Sequence, residues 1–263
     1  GSGITAIACD LLKDNQLFNL PDVANVIYLA GHKFGTVGNE DFTWAMNTYL
    51  PGRVSEKFKG AKIVAFSSGN ILPFVKLNEG GVDEDAVPQP VGEYAQSCLG
   101  RERIFQYFAK KNNTEMLIYR LNYAVDFRYG VIMEIGKSVW NGQPIDLRTE
   151  NVNVIWQGDA NEIAIRSLLH CESPAKILNV TGPETLSIKW VAKEFAKIFG
   201  KQATFVHQAE GTALLNNASE CHQLFGYPKV TIREVIGLNA AWIQNGGDEF
   251  GKPTHFQERG GQF

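Results

Sequence analysis

Tyr94, Cys98 and Arg101 stand four and three residues apart in GEYAQSCLGRERIF, residues 92–105, and a helix of that register carries all three along one face. A phenol has an ordinary pKa near 10, so Tyr94 serves as a base at neutral pH only where its surroundings lower that value. Seven residues of helical rise put the backbone of Arg101 ~10 Å from that of Tyr94, a distance a long side chain covers in part. The same pattern also describes two half-buried packing residues and an arginine that reaches water. Other groups able to do chemistry stand where short apolar runs end: Asp10-Leu11, Ala30-Gly31-His32-Lys33, Ser67-Ser68-Gly69-Asn70 and Asn122-Tyr123. In an open parallel sheet, ligands bind beyond the carboxyl ends of the strands. Small residues there let a flat ligand approach the backbone, and an acid accepts hydrogen bonds from a base or a ribose.

The elements that must position these residues follow from periodicity. ITAIAC (4–9), NVIYLAG (25–31), KIVAFSS (62–68), MLIYRL (116–121) and VNVIW (152–156) are short, rich in Ile and Val, and predict buried strands. Residues 40–58, 93–110 and 159–170 carry apolar positions at helical spacing. The alternation predicts an α/β fold, a Rossmann-like doubly wound parallel sheet with helices on both faces. Pro51 removes a backbone donor and predicts a kink or a stop in the first helix. Residues 69–92, rich in Gly, Pro and acids, predict a long loop. Ser187 as N-cap and Gly200 as stop frame a helix with Ile188, Val191, Ala192, Phe195 and Ile198 on one side. TIRE at 231–234 is a capping box opening a helix through Trp242. The polar, Gly-rich end predicts an extended tail.

Composition narrows the classes. With 263 residues, 44% hydrophobic content and a net charge of −3, the chain is an ordinary globular protein without a basic footprint, so nucleic acid is not an expected partner. No apolar run approaches the ~18 residues that cross a bilayer, and no export signal opens the chain, so it reads as cytoplasmic with no membrane partner. Cys9, Cys98, Cys171 and Cys221 are widely spaced and read as reduced thiols. The neighbours His170-Cys171 and Cys221-His222 lack further ligands at metal spacing, so no metal is expected.

In chain order, CDLL (9–12), VIYLAG (26–31), MNTYLPGRV (46–54), VAFSS (64–68), EYAQS (93–97), LIYRLN (117–122), WQGDANEIAI (156–165) and LNVTGPETLSIKWVAKEFAKIFG (178–200) resemble the extended short-chain dehydrogenase/reductases, the NAD-dependent epimerase/dehydratase family. The resemblance covers nearly the whole chain. It implies a dinucleotide-binding Rossmann-like domain over 1–125 and 145–172, in part, and a smaller α/β substrate-binding subdomain over 126–144 and 173–263. It implies NAD or NADP as cofactor, with Asp10 and Leu11 at the adenine, Ala30 and Gly31 at the adenosine and pyrophosphate, and Asn47 and Tyr94 supporting the cofactor. Ser68 and Tyr94 match the pair that acts on a sugar hydroxyl. Asn70, Asn122, Tyr123 and Arg128 are the substrate-side candidates, and a homodimer through 40–58 and 93–110 is implied.

Two departures stand out. The family places a lysine four residues after the Tyr, where it lowers the phenol pKa and holds the nicotinamide ribose; here that position is Cys98. A neutral thiol stabilises no phenolate, and Arg101 and Lys33 are the candidate replacement cations. The family also begins with a strand and glycine-rich turn. This chain opens with GSG and enters what reads as the third strand, so about fifty to sixty residues lack a counterpart, as in part of a longer gene product. The expected function is an NAD(P)-dependent oxidoreductase or epimerase/dehydratase acting on a sugar, nucleotide sugar or sugar-derived hydroxyl. The alternatives are a catalytically silent dinucleotide-binding or regulatory protein, and an interaction module using the polar tail.

Overall fold

The computed structural model describes residues 3–252 and 254–262; Gly1 and Ser2 of the opening GSG, and Pro253 and Phe263 of the stretch read as a tail, lie outside the described residues. Four strands, β1 (Asn25–Tyr28), β2 (Lys62–Ser68), β3 (Met116–Leu121) and β4 (Lys176–Val180), form one parallel sheet in that order. Ile63 of β2 lies beside Val26 on one side and Met116 on the other, and Leu117 lies beside Lys176. A sheet covered on both faces reads as near-continuous apolar sequence, as KIVAF and MLIY do.

Period-two alternation divides these strands between two cores. Ile63, Ala65 and Met116 face one layer, where they meet Leu17, Leu50, Val54 and Phe105. That layer is built by α1 (Asp14–Leu17), α2 (Glu40–Trp44), α3 (Leu50–Lys57) and α4 (Gly92–Asn112), the helix that carries Tyr94. Val64, Leu117 and Tyr119 face the opposite layer. After α5 (Val131–Trp140), the chain returns to this second layer in α6 (Gln157–Arg166). A third cluster lies off the sheet and joins α5, α7 (Ile188–Phe199) and, beyond α8 (Ser219–Phe225), α9 (Ile232–Gln244). Ser187 Oγ accepts the Trp190 amide at 3.3 Å, Gly200 closes α7 at φ +64°, and Thr231 with Glu234 forms the capping box of α9. Ile198, expected on the buried side of α7, is exposed.

Several expectations are corrected. Residues 4–9 form no strand. Ile4 and Ile7 are 82% and 54% exposed, and the segment pairs with no ladder among the described residues, because apolar composition makes a strand only where a neighbour's backbone bonds it. Residues 152–156 stay outside the central sheet: Asn151–Val152 pairs with Leu186–Ser187 and Ile155–Trp156 with Ala124–Val125. Val152 serves the third core and Ile155 the second, so the chain crosses between cores there. Pro51 does not end its helix. A π-helical turn, Ala45–Tyr49, runs directly into α3, and the Asn47 carbonyl, four residues before the Pro51 nitrogen that has no N–H to give, accepts from Arg101 Nε at 3.3 Å. Residues 246–252 and 254–262 do not run off as the expected extended tail: Phe256 enters the third core.

Behind the sheet ends lies a buried ion pair. Arg120 of β3 and Glu102 of α4, 2% and 0% exposed, pair through two hydrogen bonds of 3.0 Å each. Ser67 Oγ donates to the same carboxylate at 2.6 Å, and Arg120 also donates to the Glu84 carbonyl at 3.1 Å. One carboxylate thereby fixes α4 to β2 and β3. Removing one partner of such a pair strands the other's charge, so Arg120→Met alone is expected to cost about 3–5 kcal/mol. The double variant E102L/R120M is expected to recover part of that loss. Denaturant unfolding of both proteins and the wild type checks the order.

Candidate functional site

The carboxyl ends of β1, β2 and β3 open on a cavity of about 180 Å³ whose lining includes Lys33, Ser68, Asn70, Tyr94, Asn122 and Tyr123. Ser68 ends β2 and caps the turn Gly69–Ile71, its Oγ accepting the Asn70 amide at 3.1 Å. Tyr94 lies in the first turn of α4, with its hydroxyl near the side chains of Ser68 and Cys98. Burial pushes the phenol pKa far up and a thiolate at Cys98 would raise it further, while the Arg101 charge and the Ser68 hydroxyl pull it down. Cys98 is fully buried beside Ile71, Leu72 and Val82, and burial pushes its thiol up as well. Neither group is an anion at neutral pH without a cation in contact.

Arg101 does not supply that contact. Its guanidinium turns toward β1 and β2, donating to the Phe66 carbonyl at 2.9 Å, to Asn47 Oδ1 at 2.6 Å and to the Asn47 carbonyl at 3.3 Å. It lies so close under Gly31 that a Cβ there would stand 2.5 Å from Nη2. Asn47 is fully buried on the π-helical turn and grips the main chain of His32, accepting its N–H and donating to its carbonyl, both at 2.8 Å. Its amide also donates to Ser97 Oγ at 2.9 Å, and Ser97 in turn donates to the Tyr94 carbonyl at 2.8 Å. The next residue after His32 is Lys33, whose Nζ lies 5.8 Å from the centre of the Tyr94 ring. Burial lowers the Lys33 pKa to about 8, against the opposing pull of Cys98 and Glu134.

The remaining candidates divide. Asn122 is buried, donates to Asn153 Oδ1 at 2.9 Å and packs so close to Gly69 that a Cβ there would be 2.7 Å from its Oδ1. Tyr123 reaches the cavity with φ +43°, a left-handed conformation rare for an aromatic residue. Arg128 is half-exposed, 3.4 Å from Asp126 and stacked on Phe250; it lines a neighbouring cavity of about 340 Å³ with Lys137 and Lys252. Asp10 and Leu11 lie outside this constellation: Asp10 Oδ1 caps the Leu12 amide at 3.1 Å ahead of α1, and Leu11 packs on the first core.

Sequence reasoning missed Tyr129, Thr254 and His255. Tyr129 and Thr254 line both cavities, and Thr254 and His255 line a narrow cleft that also borders Lys33, Asn70 and Tyr123. The C-terminal segment brings the last two back by long-range contacts that no local pattern announces. Lys137 pairs with Glu249 at 2.5 Å, the Thr254 amide donates to Glu134 at 3.0 Å, and Arg259 stacks on Phe74 and pairs with Glu210 at 2.7 Å.

No protein-family model matches the sequence, and no curated protein matches it. Solved structures do. The fold is similar to RMD from Pseudomonas aeruginosa complexed with NADPH, with a TM-score of 0.76 at 20% identity over 89% of this chain and 87% of that one. It is similar to UDP-glucuronic acid 4-epimerase from Bacillus cereus in complex with NAD, at 0.75 and 19% over 90% and 79%. It is similar also to UDP-glucose 4-epimerase with UDP-glucose from Thermotoga maritima, at 0.75 and 15% over 90% and 83%. These likenesses establish the Rossmann-like α/β fold. Among the described residues, no helix is long and apolar enough to cross a membrane.

The docking of the C-terminal segment can be tested at Gly92, φ +78°, where a Cβ would stand 2.4 Å from the Gly261 carbonyl oxygen. Gly92→Ala is expected to release the end of the segment. Limited proteolysis followed by mass spectrometry should then show new cleavages after residue 256, with the rest of the chain as resistant as in the wild type.

Proposed function

We propose that the chain is an NAD(P)-dependent oxidoreductase or epimerase/dehydratase that acts on a hydroxyl of a sugar, nucleotide sugar or sugar-derived substrate. The observation that carries this reading is the pair of neighbouring hydroxyls, Ser68 and Tyr94, lining one cavity at the carboxyl ends of a parallel sheet with the Lys33 amine 5.8 Å from the centre of the Tyr94 ring. The likeness to structures that hold NADPH, NAD and UDP-glucose supports it.

In this reading Ser68 donates to the substrate oxygen and holds it, and Tyr94 takes the hydroxyl proton during oxidation and returns it during reduction. When bound, a nicotinamide cofactor supplies the acceptor, and in reverse the donor, of the hydride at the carbon bearing that oxygen. The described residues suit the cofactor: Ala30 and Gly31, small and not buried at the end of β1, let the adenosine and pyrophosphate approach, and Lys33 offers donors to the nicotinamide ribose. Asn70, Asn122 and Tyr123 wall the reacting cavity, and Arg128 faces the larger one, where an anionic part of a nucleotide-linked substrate fits the nearby lysines. Residues 1–125 and 145–172 then serve the dinucleotide, and 126–144 and 173–263 the substrate. The apolar groove between Trp44, Tyr49, Ile104 and Phe108 serves a homodimer in the same reading.

A second reading, a silent dinucleotide-binding protein, is favoured by one observation: the position four residues past Tyr94 holds a buried thiol and no cation. Fluorescence titration with NADH and NADPH, then turnover assays on sugar nucleotides and free sugars, separates the two. Tyr94→Phe is expected to lower turnover by about 10²–10⁴-fold while cofactor titration still saturates; saturable binding with no turnover by the wild type selects the silent reading. Tyr49→Glu is expected to convert a dimer to a monomer in light scattering coupled to size exclusion, and an unchanged mass excludes this groove as the interface.

A further inference from the structure

We propose that Lys33, delivered from the loop after β1, is the cation that stabilises the Tyr94 phenolate in place of a helix-borne lysine, and that Asn47 and Arg101 are positioning residues that hold its loop. The inference rests on the reading of Tyr94 as acid and base. A fully buried asparagine spends both ends of its amide on the main chain of one residue, His32, and that residue precedes Lys33. Arg101, 7% exposed, locks the same Oδ1 at 2.6 Å and is fixed in turn to the Phe66 carbonyl. Ser97 closes the circuit to the turn that carries Tyr94. The arrangement is built on a π-helical turn, a local widening common at functional sites, and it requires Gly31 because Arg101 fills the space a side chain would take. Two cations near the phenol therefore have separate tasks. Arg101 holds the scaffold and acts on Tyr94 at range, and Lys33 stands at its ring.

Charged and titratable groups reach Lys33 from several elements: Tyr94 and Cys98 on α4, Glu134 on α5, and His255 and Glu258 in the C-terminal segment along the adjoining cleft. An ammonium at the Tyr94 ring favours the phenolate, and it does so only while the Lys33 amine keeps its proton. Below about pH 8 both protons are present, which suits reduction, where Tyr94 must donate. Above that pH Lys33 loses its charge while burial still opposes ionisation of Tyr94, so the phenolate loses the cation at its ring. The contribution of Lys33 to oxidation is therefore expected to be lost as the pH rises through about 8.

The test has two arms on the full chain. For activity, Lys33→Met is expected to lower oxidation below about pH 8 by on the order of 10²-fold and to abolish this loss, whereas Lys33→Arg, whose guanidinium stays charged, retains turnover with the loss moved upward in pH. A Lys33→Met protein that keeps the wild-type pH dependence overturns the proposal. For positioning, reductive ¹³C-methylation with NMR titration reads the Lys33 amine directly, its signal assigned by loss in Lys33→Arg. The signal is expected to titrate near pH 8 in the wild type and to move toward the ordinary lysine value in Asn47→Ala and in the milder Arg101→Lys. If folded Arg101→Lys and Asn47→Ala leave it in place, or if the wild-type signal titrates as an ordinary lysine, the clamp is overturned. Absence of turnover by the wild type with bound cofactor counts against the proposed function, and leaves the NMR arm intact.

Discussion

A carboxylate buried behind the sheet decides where the Tyr94 helix can lie. Glu102 has no access to water, so its charge is tolerable only while Arg120 and Ser67 saturate it, and those partners sit on two neighbouring strands. Apolar packing alone lets a helix slide or rotate by small amounts at little cost. A bidentate ion pair does not, because its geometry is directional. Eight residues before Glu102, Tyr94 inherits that placement and meets Ser68, one residue beyond Ser67.

A second polar circuit, Arg101–Asn47–His32, joins the same helix to the loop after β1. Each of its members is polar, and the two side chains are buried, so each would be costly unpaired. Together the two circuits tie α4 to β1, β2 and β3 at the sheet ends where ligands of such folds bind. The thiol at Cys98 then has a plain physical role: it fills an apolar pocket with Ile71, Leu72 and Val82, where an ammonium would be poorly solvated.

The C-terminal segment adds a wall from the other side. It is held by ion pairs to α5 and to the 205–213 region, by Phe256 in the third core, and by a main-chain approach of Gly261 to Gly92 that only glycines at positive φ allow. Glu249, Thr254 and Arg259 commit their side chains to contacts within the chain, which makes the segment part of the pocket wall.

Much of this was legible in the residues. Ile/Val-rich runs at β1, β2 and β3 and the caps of α7 and α9 follow from local chemistry: alternating burial, a serine oxygen accepting an amide, a reciprocal Thr–Glu pair. The order of strands and of the small and hydroxyl residues at their ends was likewise readable, and it placed Ser68, Tyr94 and Lys33 among the candidates. The run at 4–9 misled because pairing partners are not a local property. Arg101 misled because helical spacing says which face a side chain leaves from and says nothing of which acceptors await it. By itself, then, the sequence determined the fold class and the parallel sheet, and it put Tyr94 and Ser68 forward as a candidate pair. Only the tertiary structure decided that the arginine braces the scaffold, that a lysine sixty-one residues earlier in the chain stands at the ring, and that the C-terminal segment closes the site. Those outcomes depend on buried polar groups finding partners far away in sequence, and such pairings are settled by desolvation and geometry once the chain is packed.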